Sequence, residues 1–320
     1  MKSAESQTNI ILDLLTIVKS LNRKGVYRDM KKKIIIKKLE DDDVISNMFI
    51  IKIDGYFLGV VNGKFEREGF GVNTYSNGDI YFGYFSENKR NKHGIYSFNP
   101  KIDNYNIMNE YYYGSWNNND MNERGIYLWL KENKNVKPFT NFDKSDFNVF
   151  IGTFCRGKFN KGTLLIKKRN NYFVYHGYFN EKGKKEGNHN FFYSAQKEQL
   201  FYGSFQNDIF ISGYIAKFTN DGNIIKISKY ENGKVIEEKD KNKFGNDILQ
   251  KVFNFRNIIM TNDYFGDLYK EFYNVINFRD TRMNNLDILN SDKYFEIMNA
   301  IIGYNKITIF NDIEIAVNEN

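Results

Sequence analysis

The residues most able to do chemistry sit close together in Gly152-Thr-Phe-Cys-Arg-Gly157-Lys158, which has the Gly-x4-Gly-Lys spacing of a phosphate-binding loop. Phe159 follows where a magnesium-holding Ser or Thr is required, and no helical pattern begins there, so nucleotide binding is not expected. Cys155 is the only cysteine. It excludes an intrachain disulfide, fits a reducing compartment, and lacks a neighbouring Cys or His that would mark it as a nucleophile. His93, His176 and His189 match no metal-ligand spacing, so the chain is expected to bind no metal or cofactor. His176 falls on a strand slot expected to face outward. A fourth cluster is electrostatic: Arg23, Lys24, Arg28, Lys31, Lys32, Lys33, Lys37 and Lys38 stand against one acid, Asp29. Such a segment beside an amphipathic helix suits an anionic phospholipid surface.

The elements that position these residues are read from composition and period. The 320 residues include 29 Phe and 23 Tyr but two Pro, which favours strands over disorder. The formal charge of +7 favours encounter with anionic surfaces without choosing among them. The Asn-, Lys- and Ile-rich composition also reports coding bias. No run reaches the ~18 apolar residues of a membrane-spanning helix, and the first residues lack a signal-peptide layout.

One pattern recurs: aromatic, any residue, Gly, any residue, large apolar residue, and a second Gly. Its copies are Phe57-Leu-Gly59-Val-Val61 with Gly69, Tyr81-Phe-Gly83-Tyr-Phe85 with Gly94, and Tyr112-Tyr-Gly114-Ser-Trp116 with Gly125. Phe150-Ile-Gly152-Thr-Phe154 with Gly162, Tyr175-His-Gly177-Tyr-Phe179 with Gly187, and Phe201-Tyr-Gly203-Ser-Phe205 with Gly213 complete six. The first Gly advances by 24, 31, 38, 25 and 26 residues, and both prolines fall in the longer steps. A seventh, degenerate copy spans Ile227–Gly233, with Lys229 at the Gly position. Aromatic, Gly and large residue share one strand face, with the Gly leaving room for a ring from the neighbouring unit. Ser76-Asn77-Gly78-Asp79, Glu181-Lys182-Gly183 and Asn220-Asp221-Gly222 supply tight turns. A hairpin cannot bury its apolar face alone, so neighbouring hairpins must stack.

The pattern resembles the MORN (membrane occupation and recognition nexus) repeat, approximately Tyr-x-Gly-x-Trp-x-x-Gly-x-x-x-Gly-x-Gly. The segment Tyr81–Gly94 follows it at both ends, and Gly69-Phe-Gly71 keeps its closing pair. The resemblance covers about 57–233; Phe often replaces Trp, and the middle Gly is usually missing. It implies a mainly β fold: an elongated, single-layer antiparallel sheet of stacked β-hairpins. Helical periodicity adds α-helical N- and C-terminal flanks.

The expected division is 1–45, an amphipathic helix (5–21) with the basic segment; 46–240, the repeat array; and 241–320, a helical region. The N-terminal helix could instead cap the sheet edge. The resemblance further implies a non-enzymatic scaffold at a membrane–cytoskeleton boundary, cytoplasmic or peripheral, binding other proteins or a second copy of itself. Tyr112, Trp116, Tyr175 and Phe179 are the candidate docking rings, with the alternative that they only staple neighbouring hairpins. Peripheral binding of anionic phospholipid is the competing function, and nucleic-acid binding is disfavoured because the repeat uses the aromatics for packing.

Overall fold

The computed structural model describes residues 48–51, 56–64, 66–102, 106–133, 146–168, 171–219, 221, 223–239, 250, 252 and 255. The expected N-terminal helix, the basic segment and most of the expected C-terminal helical region lie outside these residues. Where it is described, the chain is mainly β and antiparallel. Its strands are β1 (Met48–Ile51), β2 (Tyr56–Val61), β3 (Arg67–Thr74), β4 (Ile80–Ser86), β5 (Lys89–Ser97), β6 (Lys101–Ile102), β7 (Asn106–Asn117) and β8 (Asp120–Asn133). They continue as β9 (Asp146–Cys155), β10 (Lys158–Lys168), β11 (Asn171–Phe179), β12 (Lys185–Ser194), β13 (Gln199–Gln206), β14 (Ile209–Phe218), β15 (Ile224–Glu231) and β16 (Lys234–Lys239).

The chain divides into two compact units. Among the described residues, one holds β1–β5 with Trp116–Asn119. The other holds β6, β7 up to Ser115, β8–β16 and the helical residues Gln250, Val252 and Phe255. In each unit consecutive strands pair as a meander, with β6 as a short appendage on β7.

Two-residue turns make these hairpins. Both central residues have positive φ in Glu87-Asn88, Asn118-Asn119, Arg156-Gly157, Asn207-Asp208 and Asn232-Gly233. That backbone matches strand twist, and Asn, Asp and Gly adopt it at least cost. The expected turns at Gly78 (φ 87) and Gly183 (φ 71) are also present. Gly222 lies outside the described residues.

The repeated glycines face one another across the strands. Gly59 pairs Gly71, Gly71 pairs Gly83, and Gly83 pairs Gly94. In the second unit Gly125, Gly152, Gly162 and Gly177 form a rung of their own, and Gly203 pairs Gly213. A Cβ on Gly83 would lie 2.5 Å from Tyr81 Oη and 2.6 Å from Gly94 Cα, so neither side of that pair tolerates a side chain. The ring filling the space is therefore the tyrosine two residues earlier on the same strand, and not one from the neighbouring unit as the pattern suggested.

Three further positions differ from the sequence expectation. Gly69 (φ 68) and Gly187 (φ 90) take left-handed backbone beside the rung, which is occupied by Gly71 and Asn190 instead. Asn190 has no exposed surface. Its amide nitrogen donates to Glu186 O and Gly187 O, and its oxygen accepts from Tyr178 N, so the buried amide is satisfied. In the degenerate copy Gly213 faces Tyr230; Lys229 faces Tyr214.

Candidate interaction surface

Alternation splits each unit into a ring face, carrying the rung and its aromatics, and a reverse face. On the ring face motif aromatics interlock by edge-to-face contacts, within copies such as Tyr81–Phe85 and between successive copies. In the first unit Phe57 meets Phe85 at 5.2 Å, Tyr81 meets Phe85 at 5.0 Å, and Tyr81 meets Trp116 at 5.4 Å. In the second, Tyr112–Phe154, Phe150–Phe179 and Tyr175–Phe205 join successive copies at 4.9, 5.5 and 5.5 Å. Each such contact adds ~0.5–1.5 kcal/mol beyond the area it buries.

Tyr112, Trp116, Tyr175 and Phe179 all belong to this ladder and are buried. The structure thus gives the four candidate docking rings the stapling role. It brings Tyr175 and Phe179 together, at 5.0 Å edge to face. Tyr81, Tyr112 and Tyr175 donate their hydroxyls to the carbonyls of Tyr84, Ser115 and Tyr178. Burial pushes the Tyr81 and Tyr175 phenols well above their ordinary range, so both stay neutral donors.

A second staple ties turns to the preceding copy. Asn88 N donates to Arg67 O while Arg67 N donates to Asn88 Oδ1; Asn119 with Arg90, and Asp208 with Lys185, repeat the exchange. The basic side chains then lie over rings. Arg67 stands 5.0 Å from the Phe85 centroid, and Arg90 stands 4.4 Å from Trp116 and 4.6 Å from Tyr96. These are cation–π contacts inside the packing rather than cations offered to a ligand.

What the ring face leaves accessible is a different row. Phe173, Phe192, Phe201, Phe210 and Tyr230 are half-buried on five successive strands, β11 to β15. Their centroids step by 6.2, 5.7, 5.3 and 5.3 Å. The glycine motif highlights Phe201 alone among them; the others occupy unassigned slots, and only strand register reveals the row.

On the reverse face Ile126, Val149, Leu165, Val174, Phe191, Leu200 and Ile227 are buried. Phe255 stacks on Phe191 at 4.6 Å and 17°. His176 is buried there too, not outward to solvent, and shares a 2.9 Å hydrogen bond with Thr163 Oγ1. Burial, helped by Lys161, lowers its pKa from 6.5 to about 4, so it is neutral at ordinary pH.

The phosphate-loop look-alike is accounted for by the repeat. Gly152 is a rung glycine and Gly157 (φ 78) is a hairpin-turn glycine, between the strands β9 and β10. Cys155 is exposed at the end of β9. Among the described residues no group of three or more His, Cys, Asp or Glu is placed to hold a metal, and no helix is long and apolar enough to cross a membrane. The lipid-binding candidates from Arg23 to Lys38 lie outside the described residues. Compared with known proteins, the chain matches no family model and no curated relative.

Proposed function

We propose that this chain is a non-enzymatic scaffold that docks other proteins on the ring face of its hairpin array. The observation that carries the reading is the row Phe173, Phe192, Phe201, Phe210 and Tyr230. Half-exposed rings held rigid by a sheet are the kind of anchor that dominates protein interfaces, because they bury large area at small entropic cost. The resemblance to MORN repeats supports a place at a membrane–cytoskeleton boundary, with a second copy of the chain among the candidate partners. Peripheral attachment to anionic phospholipid is the alternative, supported by the +7 charge and the basic segment.

Trp116 and Phe179 are unsuited to testing this, since removing either ring opens the interlocked ladder. Phe192→Ser with Phe210→Ser removes two accessible anchors instead. Native partners recovered by affinity purification should fall at least tenfold with this double variant, while circular dichroism shows the array still folded, at a urea midpoint lowered by the loss of the rings' own contacts. Recovery of the same partners at the same affinity by the folded double variant would reject docking on this face.

A further inference from the structure

We propose that Asn232 is a site of spontaneous deamidation, where the chain converts itself to aspartyl and isoaspartyl forms and thereby loosens the β15–β16 hairpin. The chain has three Asn-Gly dipeptides, Asn62-Gly63, Asn77-Gly78 and Asn232-Gly233. Glycine after asparagine removes the side chain that would hinder attack of the following backbone nitrogen on the asparagine carboxamide. The fold decides which of the three reacts. Asn77 Oδ1 accepts from Asp79 N at 3.0 Å, its Nδ2 donates to Asp79 Oδ2 at 2.8 Å, and Gly78 N donates to Tyr75 O at 3.0 Å. Asp79 is itself buried and accepts from Tyr96 Oη at 2.6 Å and Asn99 N at 2.7 Å. Asn62 Oδ1 accepts from Lys64 N and Glu66 N at 2.9 and 3.0 Å, and its Nδ2 donates to Glu66 Oε2 at 2.8 Å. Both carboxamides are held by their own turns.

Asn232 differs at each point. It is exposed, and among the described residues its carboxamide makes no hydrogen bond. In the turns at Asn88, Asn119, Gly157 and Asp208 the second turn residue donates its N–H to the preceding copy. Here the first residue does so instead, Asn232 N to Ile211 O at 3.0 Å, which leaves the Gly233 N–H without an acceptor among the described residues. Nucleophile and electrophile are thus both unengaged. Lys234, Val235 and Ile236 beyond the turn are exposed, so this hairpin opens at small cost and lets the nitrogen reach the carboxamide. In the reaction Gly233 N gives up its proton and bonds to Asn232 Cγ, and ammonia leaves from that carbon as a succinimide ring closes. Water then opens the ring. Attack at the backbone carbonyl leaves isoaspartate, whose main chain runs through Cγ; attack at Cγ leaves aspartate. Isoaspartate adds a backbone carbon to a two-residue turn, and among the described residues β16 pairs with β15 alone. The Glu231–Lys234 and Tyr230–Val235 pairs next to the turn therefore loosen. Tyr230 is the last ring of the accessible row, so the conversion alters one end of that row.

The test reads the chemistry without any partner. The full chain is incubated folded at mildly alkaline pH in 18O-water, then digested and analysed by peptide mass spectrometry with fragmentation that separates isoaspartate from aspartate. Asn232 should take up heavy oxygen at least about tenfold faster than Asn62 or Asn77, with isoaspartate in excess. In the urea-unfolded chain the three sites should convert at similar rates, since only the fold distinguishes them. The converted chain, separated by ion exchange, should show faster amide hydrogen exchange in β15 and β16 and unchanged exchange in β11 and β12. Asn232→Gly keeps the turn and removes the carboxamide, so the same incubation should leave its β16 exchange as it began. Conversion of Asn62 or Asn77 as fast as Asn232 in the folded chain overturns the proposal. So does the same preference for Asn232 in the unfolded chain, or unaltered β16 exchange in the converted one.

Discussion

The ring of His176 lies on the reverse face of β11, with 5% of its surface exposed and Phe255 6.2 Å away. Its slot in the repeat alternates with Tyr175 and Gly177, so the sequence directs it away from the ring ladder. What the sequence does not disclose is that the reverse face has its own cover, because the residues supplying it are about eighty positions downstream. The consequence is a measurable acid sensitivity. The unfolded chain takes up a proton near pH 6.5, while the folded imidazole resists protonation until about pH 4. The stability contributed by the depressed pKa is thus fully present above pH 6.5 and is lost as pH falls toward 4. The loss is on the order of 3 kcal/mol, from 1.36 kcal/mol per pKa unit. Urea midpoints measured from pH 7 to pH 4 should fall more steeply for the parent than for His176→Gln. Equal slopes would show that other groups carry the acid response.

At the scale of the element, turn and strand are fixed by different signals, and only one of them is conspicuous. Asn77-Gly78 and Lys182-Gly183 announce their turns through glycine. Glu87-Asn88, Asn118-Asn119 and Asn207-Asp208 carry the same left-handed backbone without a glycine, and in an Asn-rich chain they do not stand out. Their signal is positional: Asn88, Asn119, Gly157 and Asp208 each follow the first motif glycine by five residues. An Asx residue there serves twice, tolerating positive φ and exchanging hydrogen bonds with the preceding copy. Substitution can separate the two roles at Asn119 (φ 75), whose Oδ1 accepts from Arg90 N at 2.8 Å. Asn119→Gly loses the hydrogen bond alone and should cost ~0.5–1.5 kcal/mol. Asn119→Ala adds the left-handed penalty of ~1–2 kcal/mol and should be the more damaging. An alanine variant as stable as the glycine variant, by urea unfolding, would mean that backbone conformation contributes nothing at this turn.

Across the whole chain, the property most legible in the sequence is the glycine period, since a rung of facing glycines tolerates few substitutes. Gly71 and Asn190 show where even that fails: the motif points to Gly69 and Gly187, but bulges shift the register so that a neighbour takes the rung. Burial of Trp116 and Phe179 is equally hard to read, because an aromatic on a repeated face is a packing residue or an anchor depending on what the next copy places against it. These interactions link successive copies within each unit, so damage to one rung should remain local. Gly83→Ala provides the test, since a methyl group there collides with Tyr81 and Gly94 and should cost ~1–3 kcal/mol by overpacking. Amide hydrogen exchange should accelerate in β3, β4 and β5, which carry the Gly71–Gly83–Gly94 rung. Protection in β11 to β14, in the other unit, should be unchanged. Uniform acceleration across both sets of strands would mean that the chain unfolds as one cooperative body, and that stability is not a sum of nearest-neighbour terms.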